Sequence, residues 1–434
     1  MKLSKQPYKG TRDYYPADKQ VQNYIFETWR KVVESFGYEE YGAPILEPLV
    51  IYAAKSGADL VNDETYRFSD RGKRDIAIRP EMTPTVARMI AAREQEVPFP
   101  ARWYSIANFM RYERPQNGRE REFWQLNVDM FGLESFEADI EILTITDRIM
   151  KAFGAEPKMY TIRINHRKLV DVMMKEYLDL DPIQAQLMTK LFDKKNKISA
   201  YEFRDKALEI FNENQVENGL KKIAALVSAK SLHDLPEVIR SHEIFQDIES
   251  IWRALDEAKI TSLKFDITLM RGLDYYNGMV FEVFDTHPDN NRAMFGGGRY
   301  DGLTTLFGAA NIPVVGFAPG ATTTELFLRS HNLLPIFGSK TDVYMVVIGQ
   351  EALSGAKKLA DNLRQEGVAV ECDTTLRKAD KQIKTAVKKH IQYLLFVGED
   401  ELQEQQYTLK DTLTQQESSL SFERIVSTVK RLDS

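Results

Sequence analysis

Helical and strand spacings alternate along the chain and predict where its elements lie. Apolar residues recur every three or four positions from about Asp18 to Ser35, which predicts a helix that Gly37 ends. Shorter apolar stretches bounded by turn residues predict strands. These stretches lie around Ile45, Ile76 and Trp103 and at Phe123–Val128 and Tyr160–Ile164.

The middle of the chain has a different character. From about His166 to Lys259 it is rich in Lys, Glu and Leu, poor in Gly, and without a cluster of chemically active side chains. We interpret this segment as a helical insertion. Strands are predicted to return afterwards at Lys264–Leu269, Met279–Phe284 and Pro313–Ala318, followed by a helix from near Thr322 and a connector at Arg329–Lys340.

The C-terminal part predicts a separate small unit. Strands alternate with amphipathic helices, which favours a largely parallel α/β domain. Its second helix is basic, with six Lys or Arg residues from Arg377 to Lys389 against Asp380 alone. A solvated helix face is one interpretation of this run, and RNA contact is the other. The predicted elements are Val343–Ile348, Glu351–Gln365, Val368–Cys372, Ala379–Lys389 and Tyr393–Val397.

Composition limits the class of protein. With 434 residues, the chain is long enough for two or three domains. No apolar run is long enough to span a membrane, and the N terminus does not resemble a signal peptide. The single cysteine, Cys372, indicates a reducing cytoplasm, and no metal centre built from protein ligands alone is expected. A net charge of −6 argues against a generally basic nucleic-acid coat but leaves local RNA-binding patches open.

The segment from Phe109 to Gln125 carries the strongest candidate chemistry. It predicts two strands joined by a polar turn at Pro115–Gly118, and it contains four arginines. Arg111 and Glu113 share one strand face, because alternate residues point the same way. A guanidinium on a rigid strand suits bidentate capture of phosphate oxygens. An exposed charged hairpin is the ordinary alternative.

This segment resembles motif 2 of class II aminoacyl-tRNA synthetases. Its run Arg-Tyr-Glu-Arg-Pro-Gln-Asn-Gly-Arg, with Phe-Trp-Gln-Leu after it, is similar to the histidyl-tRNA synthetase family. The resemblance implies that Arg111 contacts the α-phosphate of ATP and the amino-acid carboxylate. It also implies ATP contacts for Glu113, Arg119 and Phe123.

The resemblance also covers the motif 2 turn and a segment nearer the N terminus. Gln116 and Arg121, near the motif 2 turn, are implied to face the acceptor end of the tRNA. Phe36–Pro44 is similar to motif 1, which builds the dimer interface in this class, although a helix end before an edge-strand proline explains it equally well.

Two segments resemble the amino-acid pocket of the family. Arg79-Pro-Glu-Met-Thr83 could simply cap a helix, but it matches a run that binds the amino acid. Arg271-Gly-Leu-Asp-Tyr-Tyr-Asn-Gly278 matches a signature particular to the histidyl enzymes, in which the arginine reaches the α-phosphate. Asp129 stands where the family usually has glutamate. The implied histidine-binding residues are Glu81, Met82, Thr83, Arg111, Gln125, Asp129, Arg271, Tyr275 and Tyr276, with Arg111 and Arg271 catalytic.

The chain departs from the family at motif 3. Gly296–Gly302 and Pro313–Gly320 fit the family's last strands, but its Gly-x-Glu-Arg sequence has Thr322 and Thr323 at the last two positions. The missing arginine packs on adenine in the family, and its loss could weaken ATP binding by about 2 kcal/mol. Arg299 and Arg329 are the candidates to replace it.

The pattern predicts an α/β (α+β) protein, and the resemblance implies a class II antiparallel-sheet catalytic domain at residues 1–325, with a helical insertion at about 166–260. A linker at 326–340 and an α/β anticodon-binding domain at 341–434 would follow. The implied function is a cytoplasmic, homodimeric histidine–tRNA ligase that uses L-histidine, ATP, Mg²⁺ and the histidine tRNA and does not bind membranes. A paralogue that binds histidine or tRNA without efficient catalysis is the alternative, and a generic RNA-binding module would explain only the basic helix.

Overall fold

The fold is known from a computed structural model that describes residues 3–53, 63–116, 118–195, 198–229, 231–270, 275–290 and 292–430. The chain divides into two compact units, Met1–Leu334 and Pro335–Ser434. Each is described by itself below.

A large, mainly antiparallel sheet forms the centre of the N-terminal unit. Among the described residues it has eight strands in the order β1-β5-β6-β11-β10-β9-β7-β8, and only β1–β5 and β7–β8 are parallel pairs. The strands are β1 (Glu39–Glu40), β5 (Ala101–Met110), β6 (Glu122–Phe131), β7 (Tyr160–His166), β8 (Leu263–Phe265), β9 (Met279–Asp285), β10 (Ala293–Arg299) and β11 (Val314–Phe317).

Helices cover the large sheet, and the N-terminal unit also contains a small antiparallel sheet. Helix α1 begins with Pro16, whose fixed backbone angle suits a first helical position, and it buries Ile25 and Trp29 completely. The helices are α1 (Pro16–Ser35), α2 (Val50–Ala53), α3 (Thr83–Ala92), α4 (Glu137–Ala152) and α11 (Ala321–Ser330), with a 3₁₀ helix at Leu303–Phe307. The small sheet has the order β2-β4-β3, from Leu46–Pro48, Asp75–Ile78 and Arg67–Ser69.

The predicted insertion is helical, and it has its own apolar core. Buried side chains of its helices, including Met188, Phe192 and Leu226, pack together in one cluster that also contains Phe265. The insertion comprises α5 (Arg167–Asp171), a π-helical stretch (Val172–Tyr177), α6 (Pro182–Lys194), α7 (Ala200–Ile210), α8 (Val216–Ser228), a 3₁₀ turn (Leu232–Asp234), α9 (Glu237–Arg240) and α10 (Glu243–Glu257).

The C-terminal unit is less parallel than its sequence suggested. Strand order is β13-β12-β14-β15-β16, and the last two strands join the sheet antiparallel. These two strands contain many polar residues, so the apolar pattern of the sequence did not predict them. The elements are β12 (Val343–Val347), α12 (Leu353–Gln365), β13 (Val370–Cys372), α13 (Ala379–Lys388), β14 (Tyr393–Val397), α14 (Glu399–Glu404), β15 (Tyr407–Asp411), β16 (Glu417–Leu420) and α15 (Phe422–Lys430).

Other local differences concern element length. The predicted strand at Lys264–Leu269 ends at Phe265, and the backbone then turns, with the Asp266 carboxylate accepting hydrogen bonds from the Thr268 amide and hydroxyl. The connector predicted from Arg329 begins two residues later, at His331, since α11 continues to Ser330.

Candidate active site

One cleft of about 1070 Å³ in the N-terminal unit collects most of the predicted site residues. Its floor consists of residues from β6, β9, β10 and β11, four neighbours in the large sheet. The insertion forms another wall, chiefly through one side of α6. The predicted residues that line it are Glu81, Thr83, Arg111, Glu113, Arg119, Phe123, Gln125, Asp129, Tyr275 and Tyr276.

Arg111 is held beside an aromatic ring at the end of β5. Its Nε donates to the carbonyl oxygen of Pro80 at 2.9 Å, and its guanidinium carbon lies 5.3 Å from the ring centroid of Phe123. Phe123 is supported from β5 by Phe109, with ring centroids 5.7 Å apart. The remaining guanidinium N–H groups can reach the cleft, so a fixed cation and an aromatic face lie together there.

Glu113 joins the two arginines of this hairpin. Its carboxylate lies 3.1 Å from Nη1 of Arg119 and 3.9 Å from Nη1 of Arg111. Arg119 is the more exposed partner, with 57% of its side chain accessible. The exposed Arg119 side chain is therefore the partner that can turn towards a bound anion.

Glu81 and Thr83 meet Tyr275 at the start of helix α3. Helix α3 starts at Thr83 without a side-chain capping bond from Met82. Instead, the hydroxyl of Tyr275 donates to Oε2 of Glu81 at 3.1 Å and lies 3.3 Å from Oγ1 of Thr83. Glu81 is only 3% exposed, so its carboxylate forms a buried acidic part of the cleft wall.

Asp129 lies deeper in the same pocket. It accepts a short hydrogen bond from the hydroxyl of Tyr300. Burial raises its pKa to about 7, and the Tyr300 hydrogen bond partly opposes that rise. A Cβ at Gly316 would lie 2.2 Å from Oδ1 of Asp129, so this carboxylate requires a glycine on the neighbouring strand β11.

Three tyrosines surround the pocket between Glu81 and Asp129. Ring centroids of Tyr275 and Tyr276 are 5.0 Å apart, and those of Tyr275 and Tyr300 are 5.4 Å apart. Tyr300 was not among the predicted residues, although its place inside the Gly296–Gly302 block was a signal that could have identified it. Gln125 is fixed at the pocket edge by donating to the carbonyl oxygen of Ala318 at 3.0 Å.

Three predicted residues lie elsewhere. Met82 is 1% exposed, packs in an apolar cluster with Val86 and Phe109, and is not among the residues that line the cleft. Arg121 is 8% exposed and makes its contacts inside the protein, whereas Gln116 is exposed at the hairpin turn. Arg271 falls outside the described residues.

Thr323 closes the cleft at the first turn of α11. Its hydroxyl lies 3.0 Å from the carbonyl oxygens of both Met294 and Gly320. The adjacent Thr322 donates to Oε2 of Glu120 at 2.8 Å, and burial raises the pKa of that glutamate. The motif 3 position is thus filled by short, neutral, hydrogen-bonded side chains.

Neither arginine suggested as a replacement reaches this position. Arg299 is buried, forms an ion pair with Asp139, and donates to the carbonyl oxygens of Leu133 and Ser135. Arg329 pairs with Glu325 at 2.7 Å on the same helix. A buried, paired guanidinium such as that of Arg299 cannot leave without stranding its partner's charge.

The insertion supplies cleft residues that its sequence did not reveal. Residues of α6 spaced by three or four, including Gln186, Lys190 and Lys194, face the cleft together with Arg167 and Lys175. They were missed because an amphipathic helix with Lys and Glu has the same pattern whether its polar face meets solvent or a cleft.

Neither a metal-ligand cluster nor a membrane-spanning helix is present in the described ranges. No group of three acidic, histidine or cysteine side chains there is placed to hold a metal ion. Every helix in the same ranges is too short or too polar for a bilayer span.

Two family models match this chain. The family described as histidyl-tRNA synthetase matches residues 10–322, and the anticodon binding domain matches residues 342–432. The histidine–tRNA ligase of Leptospira biflexa is 40% identical over 432 residues, covering 99% of this chain and 98% of its own. The chain belongs to the histidyl-tRNA synthetase family. It is thus a member of the aminoacyl-tRNA synthetases, enzymes that use ATP as a substrate, and the resemblance seen in its sequence is confirmed.

Solved structures support the class II fold of this synthetase family member. Histidyl-tRNA synthetase from Nostoc aligns with a TM-score of 0.83, covers 99% of this chain and all of its own, and is 23% identical. A protein from Bacillus halodurans named as ATP phosphoribosyltransferase regulatory subunit/histidyl-tRNA synthetase aligns with a TM-score of 0.74 over 92% of this chain at 19% identity. At these identities the likeness concerns the fold alone.

Proposed function

We propose that this protein is a histidine–tRNA ligase that activates L-histidine with ATP and then esterifies the 3′ end of the histidine tRNA. The observation that carries the proposal is the cleft itself. It combines a cation and an aromatic ring at Arg111 and Phe123 with a buried, polar, tyrosine-lined pocket at Glu81 and Asp129.

In the first step a carboxylate oxygen of histidine attacks the α-phosphorus of ATP. A bond from that oxygen to phosphorus forms, the bond from phosphorus to the bridging oxygen of the β-phosphate breaks, and pyrophosphate leaves. Arg111 would stabilise the charge on the α-phosphate oxygens and hold the carboxylate in line. Arg271 is proposed as a second cation on that phosphate, and Glu113, Arg119 and Phe123 as further ATP contacts.

The tyrosine-lined pocket suits the histidine side chain and ammonium group. The buried Glu81 carboxylate would face the ammonium group of the bound histidine, with Thr83 beside it. Gln125 would lie near the carboxylate of the bound histidine. Asp129 can accept from an imidazole N–H, and Tyr275 and Tyr276 enclose the ring. A pocket built to pair polar ring atoms rejects apolar amino acids, because its own groups would otherwise remain unpaired.

The second step would transfer histidine from the adenylate to a terminal ribose hydroxyl of the tRNA. We propose Gln116 as a contact for the acceptor end, since it is exposed at the hairpin turn. The domain division proposed is a catalytic domain at 1–325 with its insertion, a linker, and an anticodon-binding domain from 341.

Magnesium and dimer formation complete the proposal. Mg²⁺ would enter on the phosphates of ATP, as it usually does in nucleotide sites, because the described residues do not provide a three-ligand group. A homodimer is supported by exposed apolar side chains beside the motif 1 segment, Ile45, Leu46, Val50 and Phe68; a monomer by light scattering would contradict it. The cytoplasm is the expected location.

The second candidate is a paralogue that binds histidine or tRNA without efficient catalysis. Thr323 favours it, because this position lacks the arginine that the family has there. Histidine-dependent ATP–pyrophosphate exchange separates the two candidates. Absence of exchange by the purified protein, even at high ATP, would refute the ligase.

Arg271→Ala tests the phosphate cation. We expect this variant to lose nearly all exchange activity while keeping the circular dichroism and melting temperature of the unmodified protein, since the proposed role acts on the transition state. Arg204→Ala, an exposed arginine of α7 outside the cleft, is the matched control. Near-normal exchange by Arg271→Ala would remove that residue from its proposed role.

A further inference from the structure

The segment from Tyr8 to Arg12, here called the N-terminal arm, lies against the motif 2 hairpin, and the proposed reaction does not use it. The carbonyl oxygen of Gly10 accepts a hydrogen bond from the backbone N–H of Arg121 at 2.6 Å. Gly10 has a φ of +86°, and a Cβ there would lie 2.7 Å from Cγ of Arg121 and 2.9 Å from Cγ of Pro115. Only glycine allows this close approach.

Arg121 is the residue on which the arm closes. Its Nη1 donates to the hydroxyl of Tyr8 at 3.0 Å, and its guanidinium carbon lies 4.0 Å from the ring centroid of Tyr112 and 5.6 Å from that of Tyr8. With 8% of the residue exposed, this guanidinium is enclosed by aromatic rings instead of being presented to a large partner.

A third contact connects this cluster to the cleft. Nε of Arg121 donates to the main-chain oxygen of Glu113 at 3.1 Å. The side chain of Glu113 lines the cleft and makes the ion pairs with Arg111 and Arg119 described above. A continuous path of contacts therefore runs from Tyr8 through Arg121 to the carboxylate that joins the two cleft arginines.

The arm has a second anchor at the other side of the nucleotide region. Arg12 pairs with Glu325 of α11 at 2.8 Å and with Asp18 of α1 at 3.0 Å. Helix α11 carries Thr322 and Thr323 in its first turn, so the arm is attached both to the motif 2 hairpin and to the helix that closes the cleft.

We propose that Tyr8 and Arg121 are positioning residues for the ATP site, which hold the Glu113 main chain so that Arg111 and Arg119 are placed for the nucleotide. This inference rests on the proposed function and deepens it. It assigns Arg121 to ATP binding through Glu113, and not to the tRNA contact that the motif resemblance implied.

The test is tRNA-free pyrophosphate exchange by the full chain, with ATP and histidine titrated separately. Tyr8→Phe removes one hydroxyl, and Arg121→Lys keeps the charge but cannot contact Tyr8 and Glu113 through a planar fork. We expect each to raise the KM for ATP by about tenfold, the effect of losing a hydrogen bond to a charged donor, with the KM for histidine unchanged. Tyr201→Phe, which alters an exposed tyrosine of the insertion, should change neither constant.

Three outcomes would overturn the inference. Unchanged KM for ATP in both folded variants would do so, and so would equal increases in the KM for ATP and for histidine, which indicate general disruption. Normal exchange by Arg121→Lys with a raised KM for tRNA in aminoacylation would return Arg121 to a tRNA contact.

The unmodified protein, assayed in parallel, separates this inference from the proposed function. If it does not catalyse exchange, the ligase proposal fails. The dissociation constant for ATP, measured by titration calorimetry on the same variants, then still decides the positioning role, and equal constants would refute it.

Discussion

Replacement of Thr323 by arginine tests whether the adenine side of the cleft limits ATP use. Thr323 is the third residue of α11 and lines the cleft opposite Phe123 and the motif 2 turn. Its Cγ2 lies 3.8 Å from where a Cβ at Gly118 would be, so a longer side chain must extend along the cleft. There it would be able to lie over a nucleobase held by Phe123.

The substitution is expected to strengthen ATP binding and to lower the free energy of unfolding, and these two effects are measured separately. A guanidinium over a desolvated base contributes about 2 kcal/mol to binding, which corresponds to a roughly 30-fold lower KM for ATP. The lost Thr323 hydroxyl bond and a cation in the first turn of a helix together lower the free energy of unfolding by about 1–2 kcal/mol. The variant should therefore bind ATP more tightly while melting at a lower temperature.

Exchange kinetics and thermal melting are measured on Thr323→Arg and on Thr323→Met, which has comparable length without the charge. The arginine variant alone should gain ATP affinity, and both should lose stability. A folded Thr323→Arg protein with an unchanged KM for ATP would refute the reasoning, because the cleft would then already supply what the family obtains from this arginine.

Three further predictions concern Asp129, the Arg299–Asp139 ion pair and Phe123. Burial holds the pKa of Asp129 at about 7 in the folded protein, so between about pH 4 and about pH 7 this carboxyl ionises in the unfolded chain while it stays protonated in the folded one, and the free energy of unfolding falls as pH rises. The free energy of unfolding of Asp129→Asn, measured with urea, should therefore rise relative to that of the unmodified protein over this pH range, by at most about 4 kcal/mol. A difference between the two proteins that does not depend on pH would contradict this. Arg299→Met should cost about 3–5 kcal/mol in the same assay, because Asp139 is left buried and unpaired, and a loss below about 1 kcal/mol would show that the pair is dispensable. Phe123→Leu should raise the KM for ATP by about tenfold through the lost ring contacts, with Tyr201→Leu, at an exposed tyrosine of the insertion outside the cleft, as its control; equal constants for the two variants would exclude a base-stacking role.

Local pattern was sufficient for several elements because their causes are local. Helix α1 follows from the spacing of Val21, Ile25 and Trp29. Strands β5 and β6 pair Phe109 with Phe123 in register, as expected for two consecutive strands joined by a polar connection, here residues 111–121. The class II family could likewise be identified from contiguous residues, since its motifs are short and specific in sequence.

Tertiary structure decided which polar residues meet. Tyr300 donates to Asp129 across 171 positions of sequence, and no local pattern specifies such a pairing. Met82 and Arg121 lie in motifs that resemble binding segments, yet Met82 is buried in an apolar cluster and Arg121 is enclosed by the N-terminal arm. Lysines of α6 face the cleft although their spacing is that of any solvated helix. The sequence determined which chemical groups are available to this protein. The burial and direction of each side chain depended on contacts between segments far apart in the chain, because such contacts form only when the whole unit packs.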